Sequence, residues 1–303
     1  MTTTARAYSD PQVFAAAADA TLASQPLRHS IIATALARTL RFGPRPGDRW
    51  WVITESADAP ETEGSDSADA PVEQVVGLAM LTRTGRPYLA TDATHGQAVG
   101  AAVAADLLAT PPSEPITGVN GFSSAARAFA QEWVQARGGA VRAGRQDVLY
   151  DLPGPVRMPH GVPGAARVAT DADRDLLDGW GRAFIRDIGD PPDPSVTMAR
   201  PLAEGGVMIW EADAGEGVEP LSMAFANAPT YGHTRLSWVW TRPERRGRGF
   251  GGAITAAVSA RAQGDGLRCL LIGDSRDQVS GTMFRKLGYQ VADDSCHLHF
   301  DRA

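Results

Sequence analysis

Disulfides, a cationic surface and long apolar runs are all missing from this 303-residue sequence, and each absence removes a class of function. Its two cysteines, Cys269 and Cys296, are too few for a disulfide framework. Cys269 opens the apolar run Cys269–Ile272 and reads as a reduced core thiol. Lysine is almost absent: Lys286 is the only one, so arginine carries the basic charge. With a formal net charge of −6, the chain lacks the basic face that releases counterions from nucleic acid. No apolar run reaches the roughly 18 residues of a membrane span. The opening residues MTTTARAYSD hold no apolar signal core. The expectation is a cytoplasmic protein with neither nucleic-acid nor membrane partner.

Hydrophobic residues make up 43% of the chain, enough for a core in each of two domains. Residues 153–164, PGPVRMPHGVPG, suit neither strand nor helix interior and mark a linker between domains 1–152 and 165–303. In the second half, Ala165–Ala169 reads as a strand and Thr170 as the N-cap of a helix from Asp171. Leu176, Leu177, Trp180, Phe184 and Ile188 recur along that helix at helical spacing. A short helix is expected at Val196–Ala203, then strands at Val207–Glu211, Leu221–Asn227 and Arg235–Thr241. A helix at Gly252–Gln263, a strand at Cys269–Ile272 and a helix at Val279–Leu287 follow. Tyr289–Val291 and His297–Phe300 read as two closing strands. This order is α+β, not a regular strand–helix alternation.

The first half echoes it: helices at Pro11–Ala23 and Leu27–Phe42, then strands at Trp50–Thr54, Val75–Thr82 and Pro87–Ala90. A helix at Ala98–Leu108, a strand near Ile116–Asn120, a helix at Ser123–Arg137 and a strand pair near Val141–Leu152 complete it. The acidic segment between Thr54 and Val75 reads as a solvated insertion.

The chemistry is concentrated in Trp238–Ala253, WVWTRPERRGRGFGGA. A strand ends at Thr241, Pro243 turns the chain, and a glycine-rich loop opens a helix. Missing Cβ atoms let a bulky anion approach the main chain. The unpaired amides of the first helical turn then face it. Arg245, Arg246 and Arg248 add positive potential, so a pyrophosphate is the natural occupant. Gly247, Gly249 and Gly252 also spell G-x-G-x-x-G, with Asp274 near the place of a ribose-binding acid. A dinucleotide fold, however, needs further strand–helix–strand units around its first turn, and this loop lies in the last quarter of the chain.

Arg246, Gly249, Gly251 and Pro243 occupy the places of the signature Arg/Gln-x-x-Gly-x-Gly/Ala that follows a strand in the GNAT N-acetyltransferase superfamily. Phe284-Arg-Lys-Leu-Gly-Tyr289 resembles the family's later Tyr-x-x-Leu-Gly-Phe. The resemblance covers residues 165–303 and extends weakly to 1–152, which looks like the catalytically silent first domain of bacterial tandem GNAT proteins. It implies two GNAT-like domains, each a mixed, mostly antiparallel sheet flanked by helices.

It further implies acetyl-CoA as co-substrate and no metal, with a small-molecule or peptide amine as acceptor. The cofactor would be held along Val239, Trp240 and Thr241, then by Arg246, Gly247, Arg248, Gly249, Phe250, Gly251 and Gly252, with Phe284 beside it. In the first half the matching stretch, Thr91–Gly100, lacks the arginine and places Asp92 where phosphate would lie. That half is expected to wall off the acceptor pocket or to stabilise the fold. Oligomeric state is left open.

Acyl transfer needs a base for the amine, donors for the oxyanion and a proton for the thiolate. In many family members the last comes from the tyrosine replaced here by Phe284, and the asparagine seven residues earlier is Asp277. Ser280, one helical turn before Phe284, or a bound water is the expected substitute, unless Ser280 only caps its helix. Phe284→Tyr is then expected to raise turnover. Glu211, Asp274, His233 and Ser237 are candidate bases, with Asp274 equally suited to capping a turn. Trp238 and Trp240 suit core packing better than an acceptor pocket. His297 and His299 alternate on one strand without a third ligand at metal spacing. Two functions stay open: an acyl-CoA-dependent N-acyltransferase, or a coenzyme A-binding sensor or scaffold without transferase activity.

Overall fold

Local signals open several elements. Asp10 accepts the Gln12 amide at 2.8 Å and Pro11 supplies the first helical residue, starting helix α1 (Pro11–Ser24). Asp277 accepts the Ser280 amide at 3.0 Å at the start of the helix Gln278–Leu287, and left-handed Gly288 (φ 107°) ends it.

The computed structural model describes residues 1–56, 73–82, 85–188, 198–213 and 217–301, and the chain forms two compact units. Unit 1 comprises Met1–Val148 and Asp293–Ala303; unit 2 comprises Leu149–Ala292.

Unit 1 runs β1 (Thr2–Tyr8), α1, α2 (Ser30–Phe42), β2 (Arg49–Ser56), β3 (Glu73–Leu81) and β4 (Tyr88–Thr91). It continues through α3 (Gly96–Ala109), β5 (Gly118–Phe122), α4 (Ser123–Arg137) and most of β6 (Ala140–Leu152). Unit 2 begins with the end of β6 and runs β7 (Ala165–Val168), a single 3-10 turn, α5 (Arg174–Asp187), α6 (Ala199–Ala203) and β8 (Val207–Asp213). Then follow β9 (Val218–Ala226), β10 (His233–Thr241), α7 (Phe250–Gly264), β11 (Arg268–Asp274), α8 (Gln278–Leu287) and the start of β12 (Gln290–Asp301).

The strand order in unit 1 is β1-β2-β3-β4-β5-β12, and in unit 2 it is β7-β8-β9-β10-β11, completed by the Leu149–Leu152 end of β6. Each is mostly antiparallel, with one parallel pair: β4 with β5 and β10 with β11. The two units therefore repeat one plan, and each is completed by a strand segment from the end of the other half of the chain.

That exchange is where the structure departs most from the sequence reading. Asp293–Ala303 belongs to the same compact unit as the amino-terminal residues, and Leu149–Leu152 to the unit of the linker and the later strands. The expected pair of closing strands is one continuous strand, β12, because residues 290–301 contain no glycine or proline to turn the chain. Likewise β6 is one strand, not a pair. β1 was not anticipated from its short, polar, threonine-rich sequence; it pairs along its whole length with β2, from Thr2↔Ser56 to Tyr8↔Trp50. The acidic segment between Thr54 and Val75 is strand at its ends, where Glu55 pairs with Gln74 and Ser56 with Glu73. Its residues 57–72, and residues 196–197 of the expected Val196–Ala203 helix, lie outside the described residues.

Each unit has its own core. In unit 1, Trp51, Ile53, Leu89, Val103, Leu107 and Phe129 are fully buried. In unit 2, Leu177, Ile209, Met223, Trp180 and Trp240 pack together. Each such side chain contributes about 2 kcal/mol by leaving water. Next to that core, Arg167 grips Asp173 through two 2.7 Å hydrogen bonds, and Asp173 accepts the Thr170 amide at 2.8 Å. The Arg167 pairing holds the Asp173 carboxyl down to about 2.

Candidate active site

The site is built where β10 and β11 part. Their parallel pairing runs from His233↔Arg268 to Leu236↔Leu271 and stops there, while β10 continues to Thr241 and β11 to Asp274. The cause is visible in β10. Between Ser237 and Trp240 its register against β9 slips, so Trp238 and Val239 face a single β9 residue. This is a β-bulge, which leaves main-chain groups unpaired and bends the strand. Trp238 sits in the left-handed region at φ 56°, a costly place for a bulky residue. Its ring stacks on Phe184 at 5.3 Å and meets Phe225 at 6.1 Å, and this packing holds the strained backbone. Trp240 packs on Trp180 at 5.2 Å. Both tryptophans thus serve the core, as their spacing suggested.

Beyond the fork, Pro243–Arg245 form a 3-10 turn, and Gly247 and Gly249 take φ of 76° and 87°, open to glycine but costly for other residues. Gly249 is the N-cap of α7 and offers no side chain there. Intrahelical bonding starts with the Ala253 amide on the Gly249 carbonyl at 3.0 Å, so the preceding amides are left for an external acceptor. Buried Ser222 donates to the Phe250 carbonyl at 3.2 Å and ties this helix start to β9. Phe250 itself is a core residue.

The arginines divide their work. Arg245 and Arg242 pair with Glu219 at 3.3 and 3.4 Å. Arg246 pairs with Asp187 at 2.5 Å and donates to the Thr241 carbonyl at 3.0 Å. Asp187 also accepts the Trp240 indole N–H at 2.9 Å. Burial raises the Asp187 carboxyl, but the Trp240 and Arg246 hydrogen bonds outweigh it and hold it below the ordinary value. Asp187, which no sequence pattern marks, therefore clamps the loop to α5. Arg248 is exposed and has no ion-pair partner among the described residues, so its charge faces outward.

Residues 220–298, which contain this fork and loop, match the family described as FR47-like protein. Among solved structures, a GCN5-related N-acetyltransferase from Sphaerobacter thermophilus is similar with TM-score 0.59 and 16% identity, over 99% of this chain and 96% of that one. A Drosophila protein gives TM-score 0.58 and 12% identity over 98% of both chains. A GNAT-family acetyltransferase from Colwellia psychrerythraea gives 0.52 and 12%, covering 87% of this chain and 89% of that one. This is the fold of the GNAT superfamily. No curated protein matches the sequence.

The GNAT fold places the sequence candidates unequally. Val239, Trp240 and Thr241 form the β10 arm of the fork, and Arg246–Gly252 form the loop and helix start that follow it. Asp274 ends β11, where its carboxylate accepts the Arg276 amide at 2.9 Å and pairs with the Arg276 guanidinium at 2.7 Å. It therefore makes the turn that its sequence context suggested. Ser280 is not the cap of α8; Asp277 is, and the Ser280 hydroxyl donates to the Asp277 carboxylate at 2.5 Å. That proton is committed. Ser237 stands at the fork's mouth, accepting from the Asn227 amide at 2.9 Å. His233 stands at the fork's closed end.

Glu211 is not brought to the fork. It lies on β8, two strands from β10 and so roughly 10 Å from the nearer arm, and it pairs with Arg167 at 2.8 Å. Phe284 is buried against β11: its ring lies 3.3 Å from where a Gly273 Cβ would stand.

Proposed function

We propose that this protein is an acyl-CoA-dependent N-acyltransferase, with acetyl-CoA as donor and a primary amine as acceptor, and that the chemistry belongs to unit 2. The observation that carries this reading is the continuity of the β10/β11 fork with the α7 helix start. A fork with free main-chain groups suits an amide-bearing arm, and a left-handed glycine N-cap with open amides suits a pyrophosphate at the end of that arm. Val239 and Thr241 would bind the pantetheine arm, the Gly247–Gly252 amides the pyrophosphate, and Arg248 a phosphate oxygen. Arg246 acts indirectly, by fixing the loop to Asp187. The amine attacks the thioester carbonyl while main-chain N–H groups of β10 stabilise the oxyanion. Unit 1 does not bind coenzyme A in this reading.

The alternative is a coenzyme A-binding sensor, favoured by Phe284 and by the commitment of Ser280 to Asp277. Calorimetric titration with acetyl-CoA, followed by free-thiol release against a panel of amines, peptides and aminoglycosides, separates the two. Binding with amine-dependent thiol release is expected. Binding without release from any amine leaves the sensor, and no binding overturns both.

A further inference from the structure

The phenylalanine at 284 removes a proton donor from α8, yet a phenol stands beside it on a different element. Tyr150, near the end of β6 in unit 2, meets the Phe284 ring edge-on with centroids 5.4 Å apart. Two glycines make this possible. The Tyr150 ring lies 3.5 Å from the Cβ position of Gly273 on β11, and its hydroxyl lies 2.9 Å from the Cβ position of Gly281 on α8. A side chain at 281 would displace the hydroxyl. Tyr150 is only 4% exposed, and among the described residues its hydroxyl has no hydrogen-bond partner. The oxygen is nevertheless not fully sealed from solvent, so the ring is buried while the hydroxyl keeps some access to water.

Two other hydroxyls near Phe284 are occupied. Tyr289 is 2% exposed and shares a 2.8 Å hydrogen bond with Ser259, and burial pushes its phenol up. Ser280 donates to Asp277. Tyr150 is left as the hydroxyl packed against Phe284 with its proton uncommitted.

We infer that Tyr150 is the catalytic acid of the transfer, supplying from β6 the proton that position 284 on α8 does not. The inference rests on the transferase reading and deepens it. As the amine nitrogen bonds to the thioester carbonyl carbon and the tetrahedral intermediate collapses, the C–S bond breaks and its electron pair goes to sulfur. The Tyr150 O–H passes its proton to that sulfur, giving the free thiol and a phenolate. The phenolate recovers, through water, the one proton that the acylated nitrogen releases, and the amide nitrogen keeps its other hydrogen.

The test uses the full chain. Tyr150→Phe removes one oxygen and keeps the ring packing. It is expected to lower kcat on the order of tenfold or more, to flatten the fall in kcat at high pH that deprotonation of a phenol produces, and to leave the acetyl-CoA Kd within twofold. Adding Phe284→Tyr to Tyr150→Phe is expected to restore kcat at least in part, a rescue that a purely structural role for Tyr150 would not allow. A Tyr150→Phe enzyme with wild-type kcat and pH profile overturns the assignment while the transferase reading stands. Wild-type protein that binds acetyl-CoA but releases no thiol overturns that reading and this one with it.

Discussion

Units 1 and 2 share one order of strands and helices, yet they treat the same two places in opposite ways. In unit 2 the parallel pair opens after Leu236↔Leu271 around the Trp238 bulge. In unit 1 the matching pair, Tyr88↔Asn120 and Leu89↔Gly121, is pulled tight: a Cβ on Gly121 would lie 2.2 Å from the Leu89 carbonyl oxygen. The helix starts differ in the same sense. In unit 1, Cβ atoms on Gly96 and Gly100 of α3 would lie 2.0 Å from the Ser124 hydroxyl and 2.3 Å from the Ala125 carbonyl of α4. In unit 2, a Cβ on Gly251 would lie 3.3 Å from the Thr241 hydroxyl and 3.6 Å from the Met283 sulfur, and one on Gly252 3.5 Å from Met283, all looser than the unit 1 contacts.

Glycine serves close packing in the first case and access to the main chain in the second. Electrostatics follow. Asp92 accepts the His95 amide at 3.0 Å ahead of α3, whereas Gly249 leaves α7 uncapped behind outward-facing Arg248. A shared fold thus yields one unit whose helix start is packed tight and one whose helix start carries no side-chain cap.

The largest effect is expected from separating the units along the chain. A chain ending at residue 152 lacks Ser295–His299, the strand segment that pairs with Phe122–Gly118, and bares that edge. It is expected to be unfolded or aggregated by circular dichroism and size-exclusion chromatography. A folded, monomeric 1–152 fragment would show that unit 1 closes its sheet unaided.

Next come the paired glycines. Gly249→Ala adds about 1–2 kcal/mol of left-handed strain and crowds Val162, which lies 2.9 Å from the new Cβ. It is expected to weaken acetyl-CoA binding tenfold or more by calorimetry. Gly100→Ala is expected to cost about 1–3 kcal/mol of stability by overpacking, with acetyl-CoA affinity unchanged. Equal effects on affinity would erase the distinction drawn between the units.

Acid should also tell them apart. Burial, helped by Arg28, lowers the His29 imidazole of unit 1 from 6.5 to about 4. The native state then holds fewer protons than the unfolded one between those values, so unit 1 loses stability as pH falls from 6.5 toward 4. Arg167 lowers Asp173 of unit 2 from 3.8 to about 2, so that contribution is intact above 3.8 and fades only below it. Hydrogen exchange against pH is expected to show unit 1 loosening first, and His29→Gln to flatten its upper window. Simultaneous loosening of both units in the wild type would contradict this.

The smallest effect is expected for Arg248→Ala: a several-fold weaker acetyl-CoA affinity, with a shallower dependence on salt, as suits an exposed phosphate contact. Unchanged affinity at low salt would remove Arg248 from the site.

Much of unit 2 was legible because its signals are local. Pro243, the glycines at 247 and 249 and the apolar period of 3.6 along α5 report on backbone conformation within a few residues. The bulge at Trp238 carries no such mark. It occurs at a bulky aromatic, and its cause is the stacking of that ring on Phe184 and Phe225, distant in sequence. The Asp187 clamp joins positions 59 residues apart, and nothing in the sequence around Asp187 distinguishes it from any helix-terminal acid.

Most of the elements, their order and the glycine loop follow from local sequence, since propensity, capping and turn chemistry act over one or two helical turns. Which strands complete each sheet, where β10 and β11 part, and which carboxylates and hydroxyls are engaged emerge from packing in three dimensions. Tyr150 illustrates the difference: in sequence it is one aromatic residue of a strand, and its place against Phe284, Gly273 and Gly281 exists only once β6 lies beside β11. Strand pairing and side-chain packing depend on residues that meet through space, and their spacing along the chain does not encode those meetings.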